Sequence, residues 1–157
     1  MKLYLKIFLT ATVLAFVLPV VAMSQSRNIE WRSNVRMITP TEGEVIVKAI
    51  VAPGWHLYGT ELPNGGPKPT VIDLSASRGV KFTTNLTPGV APTVKQDKMF
   101  NLKLSYWGSD VTFRRRFKVT DAKNARIEGT VTYMGCNDAT CLPPATFKIS
   151  KPVPVKK

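Results

Sequence analysis

Beyond its first two dozen residues, this 157-residue chain repeats its apolar side chains at every second position and never at helical spacing. Glu44 to Val51 puts Val45, Val47, Ala49 and Val51 on one side. Phe100, Leu102, Leu104 and Tyr106 alternate with Asn101, Lys103 and Ser105. Val111, Phe113, Phe117 and Val119 alternate with Thr112, Arg114, Arg116 and Lys118, and Ile127, Val131 and Tyr133 with Glu128, Thr130 and Thr132. Each run fits a strand with one buried face. Arg115 interrupts the third run, as a residue at a sheet edge or a bulge would.

Between the runs lie turn-forming clusters: Pro40-Thr41-Glu42-Gly43, Pro53-Gly54, Pro63-Asn64-Gly65-Gly66-Pro67, Thr87-Pro88-Gly89 and Gly108-Ser109-Asp110. The last reads as a tight hairpin turn joining the second run to the third. The pattern of about eight or nine short strands predicts an all-β fold, an immunoglobulin-like antiparallel β-sandwich, with a small barrel as the alternative. The ending Lys151-Pro152-Val153-Pro154-Val155 is too rich in proline to continue a central strand.

Lys2 and Lys6, an apolar stretch from Ile7 to Ala22, and the small residues Ala22 and Ser24 before Gln25 make a secretory signal peptide over residues 1–24. A single domain then spans residues 25–157, and the expected location is the periplasm. An uncleaved membrane anchor is the competing reading; Pro19 and the shortness of the run argue against it. Losing Lys2 and Lys6 takes the formal charge from +12 to +10. The charges are scattered, with Arg114-Arg115-Arg116 the only dense cluster, so a solvated basic surface is expected rather than a nucleic-acid site.

The only two cysteines lie in Tyr133-Met134-Gly135-Cys136-Asn137-Asp138-Ala139-Thr140-Cys141-Leu142-Pro143-Pro144. Asn-Asp between them is turn chemistry, and β-like runs lead in and out. Two strands joined by a tight loop, with a cysteine at each foot, can hold the sulfurs within bonding distance. An exported chain meets an oxidising compartment, so a disulfide is expected. Closing so short a loop stabilises by only about 2 kcal/mol, against about 4.7 for a loop of 100 residues. The pair is thus poorly placed as a staple and well placed as a redox switch, although an inert structural disulfide stays open on spacing alone. No cofactor or metal is expected: two cysteines and one distant histidine fall short of four zinc ligands. Cuprous copper, on Met134, Met99 and His56, is a further alternative.

The cysteine segment, an aromatic followed by Gly-Cys, a short acidic loop, a second Cys and Pro-Pro, resembles the active-site segment of the N-terminal periplasmic domain of the DsbD thiol:disulfide interchange family. Pro53-Gly54-Trp55-His56-Leu57-Tyr58 is similar to that domain's early aromatic segment, and Asp97-Lys98-Met99-Phe100 to its cap loop. The resemblance covers about residues 28 to 150. It implies an immunoglobulin-like sandwich in which Cys136 and Cys141 cycle between dithiol and disulfide, Cys141 attacking and Cys136 resolving. It further implies that Phe100 or Met99 covers the pair, that Asp97 tunes it, and that His56 and Tyr58 line it. Phe100 read as the first apolar position of its run is equally a plain core residue. His56 departs from the aromatic residues usual there, which makes a pH-sensitive site possible. The inter-cysteine loop is a residue shorter than in the best-known member. The family's membrane and thioredoxin-like domains do not follow within 157 residues, so a free-standing domain is expected.

The resemblance therefore implies a monomeric protein-disulfide reductase component. It would relay reducing equivalents between thioredoxin-like proteins and periplasmic disulfide-bearing acceptors, with a separate membrane reductant as a further partner. The competing class is a non-catalytic binding or assembly module with an inert disulfide.

Overall fold

The computed structural model describes residues 28–155, so the expected signal peptide lies outside the described residues. Twelve strands and no helix occur among them. They are β1 (Ile29–Met37), β2 (Glu42–Val51), β3 (His56–Tyr58), β4 (Val71–Asp73), β5 (Val80–Phe82) and β6 (Thr87–Pro88), followed by β7 (Thr93–Asp97), β8 (Leu102–Trp107), β9 (Val111–Val119), β10 (Arg126–Tyr133), β11 (Gly135–Cys136) and β12 (Ala145–Pro152). Every pairing is antiparallel, and the fold is an immunoglobulin-like β-sandwich.

One sheet runs β1-β2-β9-β5, with β6 continuing along β9; a second runs β12-β10-β4. The alternation seen in the sequence decides what lies between them. Val45, Val47, Ala49 and Val51 of β2 and Val111, Phe113 and Phe117 of β9 are buried on one face. They pack with Trp31 and Val35 of β1 and with Ile127, Val131 and Ile149 of the opposing sheet. Trp31 lies 6.2 Å from Phe113 and 5.4 Å from Tyr133, ring centre to ring centre, and Trp107 meets Phe113 edge-on at 5.3 Å. Each such buried side chain contributes on the order of 1.5–3 kcal/mol relative to exposure.

A third sheet, β11-β3-β8-β7, carries the chemistry. Pro53 and Gly54 turn the chain out of β2 and into it, with Gly54 at φ 79° and Trp55 N–H donating to Ala52 O. Both faces of β3 are used. Leu57 joins the main core, whereas Tyr58 belongs to a separate small cluster with Leu104 and Cys136.

Three expectations change. Gly108-Ser109-Asp110 is not a hairpin turn: β8 and β9 belong to different sheets. Trp107 before it and Val111 after it are both buried, so the turn crosses the edge of the sandwich. Asp110 fixes that corner by accepting from Val51 N–H at 3.1 Å and pairing with Lys48 Nζ at 2.8 Å. Arg115 is on neither an edge nor a bulge of its own strand. The β2–β9 register runs unbroken through it, and β9 is central. The irregularity is in the neighbour, where β5 ends opposite Phe117 and β6 resumes opposite Arg114. The Arg115 guanidinium fills that interruption, 4.2 Å over the Phe82 ring, with Nε–H donating to Thr84 O. Finally, Phe100 does not open β8. It sits in the turn between β7 and β8, where Asn101 takes the left-handed φ of 52° that asparagine tolerates.

Candidate functional site: a roofed disulfide on a sheet edge

Cys136 and Cys141 form a disulfide. The hairpin expected around them exists, but it closes before reaching them: β10 and β12 pair as far as Tyr133 opposite Ala145. Residues 134–144 then leave that sheet. Gly135 and Cys136 form β11, which pairs with Leu57 and His56 of β3, and Cys136 is in turn bridged to Cys141. The Gly-Cys spacing has a packing cause. A Cβ on Gly135 would run into the end of the buried Ile29 side chain, which would have to shift to admit one. Between the cysteines, the Asn137 carboxamide oxygen accepts from Ala139 and Thr140 N–H at 2.9 and 2.8 Å. Asn137 N–H donates to Thr140 O, and Leu142 N–H to Gly135 O. This turn chemistry keeps the loop short.

The two sulfurs differ in surroundings. Cys136 is 1% exposed and packs on Tyr58 and Leu104, whereas Cys141 is half-buried at the rim. Over the rim comes the β7–β8 turn. Met99 Sδ lies 3.3 Å from Cys141 Sγ. A disulfide sulfur carries no proton, so this is a packing contact between polarizable atoms. Phe100 packs edge-on to Tyr58 at 6.0 Å, against the small cluster that includes Cys136.

Asp97, the last residue of β7, ties turn to floor. Its Oδ1 accepts from Met99 N–H at 2.9 Å and Phe100 N–H at 3.0 Å, while its Oδ2 accepts from the Tyr58 hydroxyl at 2.9 Å. Burial of Tyr58 and this bond to a carboxylate push its phenol well above the ordinary value. Tyr58 is also anchored from behind, since Thr70 Oγ1–H donates to its carbonyl at 2.6 Å.

His56 lies opposite Cys136 across the β3–β11 pair, so their side chains share one face. Its ring meets Tyr58 edge-on at 5.0 Å and Tyr106 at 4.9 Å. Burial holds the imidazole below its ordinary value of 6.5, with Asp97 and Asp138 pulling the other way. Beside it opens a cleft of about 380 Å³, bounded by Lys95, Asp97, Met99, Tyr106 and Asp138. The structure thus gathers Cys136, Cys141, Asp97, Met99, Phe100, His56 and Tyr58 at one place. Tyr106 and Asp138 also face the cleft. Tyr106 read as an apolar position of its run; only the register, Tyr58 opposite Tyr106, puts it on the site face. No group of three or more His, Cys, Asp or Glu suited to a metal occurs among the described residues.

No curated protein matches the chain at the level of sequence. Among solved structures, the N-terminal periplasmic domain of ScsB from Proteus mirabilis superposes with a TM-score of 0.58 at 14% identity. The match covers 85% of this chain and 49% of that one, so the chain spans about half its length. The N-terminal domain of DsbD from Neisseria meningitidis, in its reduced form, matches with a TM-score of 0.43 at 17% identity, over 75% of this chain and 82% of that one. The family description "Thiol:disulfide interchange protein DsbD, N-terminal" fits residues 28–152. The matched span includes both cysteines of the disulfide, and the chain belongs to the DsbD N-terminal family.

Proposed function

We propose that this domain works in the periplasm and passes reducing equivalents between thioredoxin-like proteins and disulfide-bearing acceptors through Cys136 and Cys141. The observation that carries the reading is where the bond sits. It belongs to a small cluster of its own on the outer face of the third sheet, not to the main core. Opening it leaves the sandwich packed, and an exchange domain needs two folded redox states.

In the dithiol form, the Cys141 thiolate attacks one sulfur of the acceptor's disulfide. A mixed disulfide forms and the acceptor's other sulfur leaves as a thiolate. The Cys136 thiolate then attacks Cys141 Sγ, the acceptor's second sulfur leaves, and the acceptor has gained two electrons. A thioredoxin-like dithiol restores the domain by the reverse sequence. Cys141 takes the outer role because it lies at the rim while Cys136 is buried. Met99 roofs Cys141 until a partner displaces it, and Asp97 holds the roof by its bonds to Met99 and Phe100.

Equilibration of the domain in thiol buffers tests this. A reduction potential within the range of thioredoxin-like partners, about −270 to −180 mV, is expected. A Cys136→Ser variant should accumulate mixed disulfides at Cys141, and Cys141→Ser should accumulate none. A bond that is reduced only when the domain unfolds would sink the proposal and leave a binding module with an inert disulfide.

A further inference from the structure

Exchange as proposed above has an unmet requirement. Cys136 must lose its proton before it can attack Cys141, yet it is 1% exposed, so bulk water does not reach it. Burial among apolar neighbours raises a thiol pKa. A proton acceptor inside the site is needed, and the nearby groups differ in whether they are free to act. Asp97 has both carboxylate oxygens engaged, by Met99, Phe100 and Tyr58. The Tyr58 hydroxyl already donates to Asp97. Asp138 is exposed on the outer loop.

His56 is different. It is the chain's only histidine and the direct cross-strand neighbour of Cys136. Opposed residues of paired strands hold their Cβ atoms about 4.5–5.5 Å apart on one face. Its Nε2 is buried and has no hydrogen-bond partner. Such an orphaned polar atom is uncommon and asks for an explanation. Reduction provides one, because it creates an S–H on the same face.

We propose that His56 is the proton acceptor for Cys136 during resolution of the mixed disulfide. This rests on the exchange reading given above. Nε2 takes the proton from Cys136 Sγ, the thiolate attacks Cys141 Sγ, and the bond from Cys141 to the partner breaks. The departing thiolate takes up the proton from the imidazolium or from the water of the cleft. In the reverse direction the imidazolium protonates Cys136 as it leaves. The groups facing the ring agree with a base that cycles. Burial keeps the imidazole neutral at neutral pH, and Asp97 and Asp138 stabilise the transient cation against Lys95 and Lys98. Tyr58 and Tyr106 fix the ring plane.

The test uses the full chain, reduced, with oxidised glutathione as the disulfide. Acid quenching and intact mass separate formation of the glutathione adduct at Cys141 from its resolution by Cys136. In the wild type, resolution should be nearly independent of pH from about 6.5 upward, the range in which a histidine is neutral. With His56→Phe, resolution at pH 7 should slow by about tenfold or more and rise in proportion to hydroxide, while adduct formation stays within about twofold. His56→Gln keeps a polar side chain without basicity and should behave like His56→Phe. Added imidazole should accelerate His56→Ala and leave the wild type unchanged. If both Phe and Gln variants resolve at the wild-type rate with the wild-type pH profile, the proton-transfer role is wrong while exchange itself stands. If the wild type does not react with oxidised glutathione at all, the exchange reading falls and this one with it.

Discussion

Asp97 gathers three donors on one carboxylate, two from the β7–β8 turn and one from Tyr58 on the floor of the site. Replacing it with Ala strips the turn of two caps and leaves the buried Tyr58 hydroxyl without a partner. Bonds to a charged acceptor contribute about 1.5–3 kcal/mol, so a stability loss of about 2 kcal/mol is expected in urea unfolding. Met99 acts differently. It is 47% exposed and adds little to folding, but its thioether lies against Cys141 Sγ. Met99→Ala should change stability by no more than about 0.5 kcal/mol. It should speed reduction of the disulfide by dithiothreitol severalfold; an unchanged rate would mean that the thioether does not shield the bond. The cap segment was legible in the sequence as Asp97-Lys98-Met99-Phe100. Which member lay beside the Cys141 sulfur was not, because that depends on how the four-residue turn from Lys98 to Asn101 folds, with its positive φ at Asn101.

Strands differed in how far they could be read. β2, β9 and β10 are long and bury apolar residues at alternate positions, interrupted only at Arg115 in β9 and Gly129 in β10, so period two exposes them. β3, β5, β6 and β11 are two or three residues long and offer no period to detect. β11 matters most and was hidden inside what looked like a loop. Its place depends on β3, some 80 residues earlier by position, through the pairs Gly135–Leu57 and Cys136–His56. The corner at Gly108 misled for a related reason: a three-residue turn looks the same whether it joins neighbours in one sheet or crosses between two. Close approach between strands also sets limits on substitution. A Cβ on Gly129 of β10 would meet the backbone carbonyl of Asp73 at the β4 junction. Gly129→Ala should therefore cost about 1–3 kcal/mol, read as a lowered urea midpoint, even though alanine is otherwise welcome in a strand.

At the scale of the molecule, charge and protonation set the response to conditions. The formal charge, +12 for the whole chain and +10 without Lys2 and Lys6, favours encounter with acidic proteins. Exchange with an acidic thioredoxin-like partner should slow as salt rises, whereas exchange with neutral dithiothreitol should not; stopped-flow rates at two ionic strengths decide it. His56 gives a pH dependence of stability with a definite sign. Its imidazole is held below 6.5 in the folded domain, so the unfolded chain binds the extra proton first. Stability should begin to fall as pH drops through about 6.5, and His56→Phe should flatten that part of a Tm-versus-pH curve.

β3 contributes Leu57 to one hydrophobic cluster and Tyr58 to the other. Adjacent residues of one short strand thereby serve two bodies of packing that hardly share side chains. Resistance to heat can, in consequence, be adjusted in the main core without touching the residues around the disulfide. Substitutions between the large sheets can raise or lower it and leave the packing of Tyr58, Leu104 and Cys136 as it was.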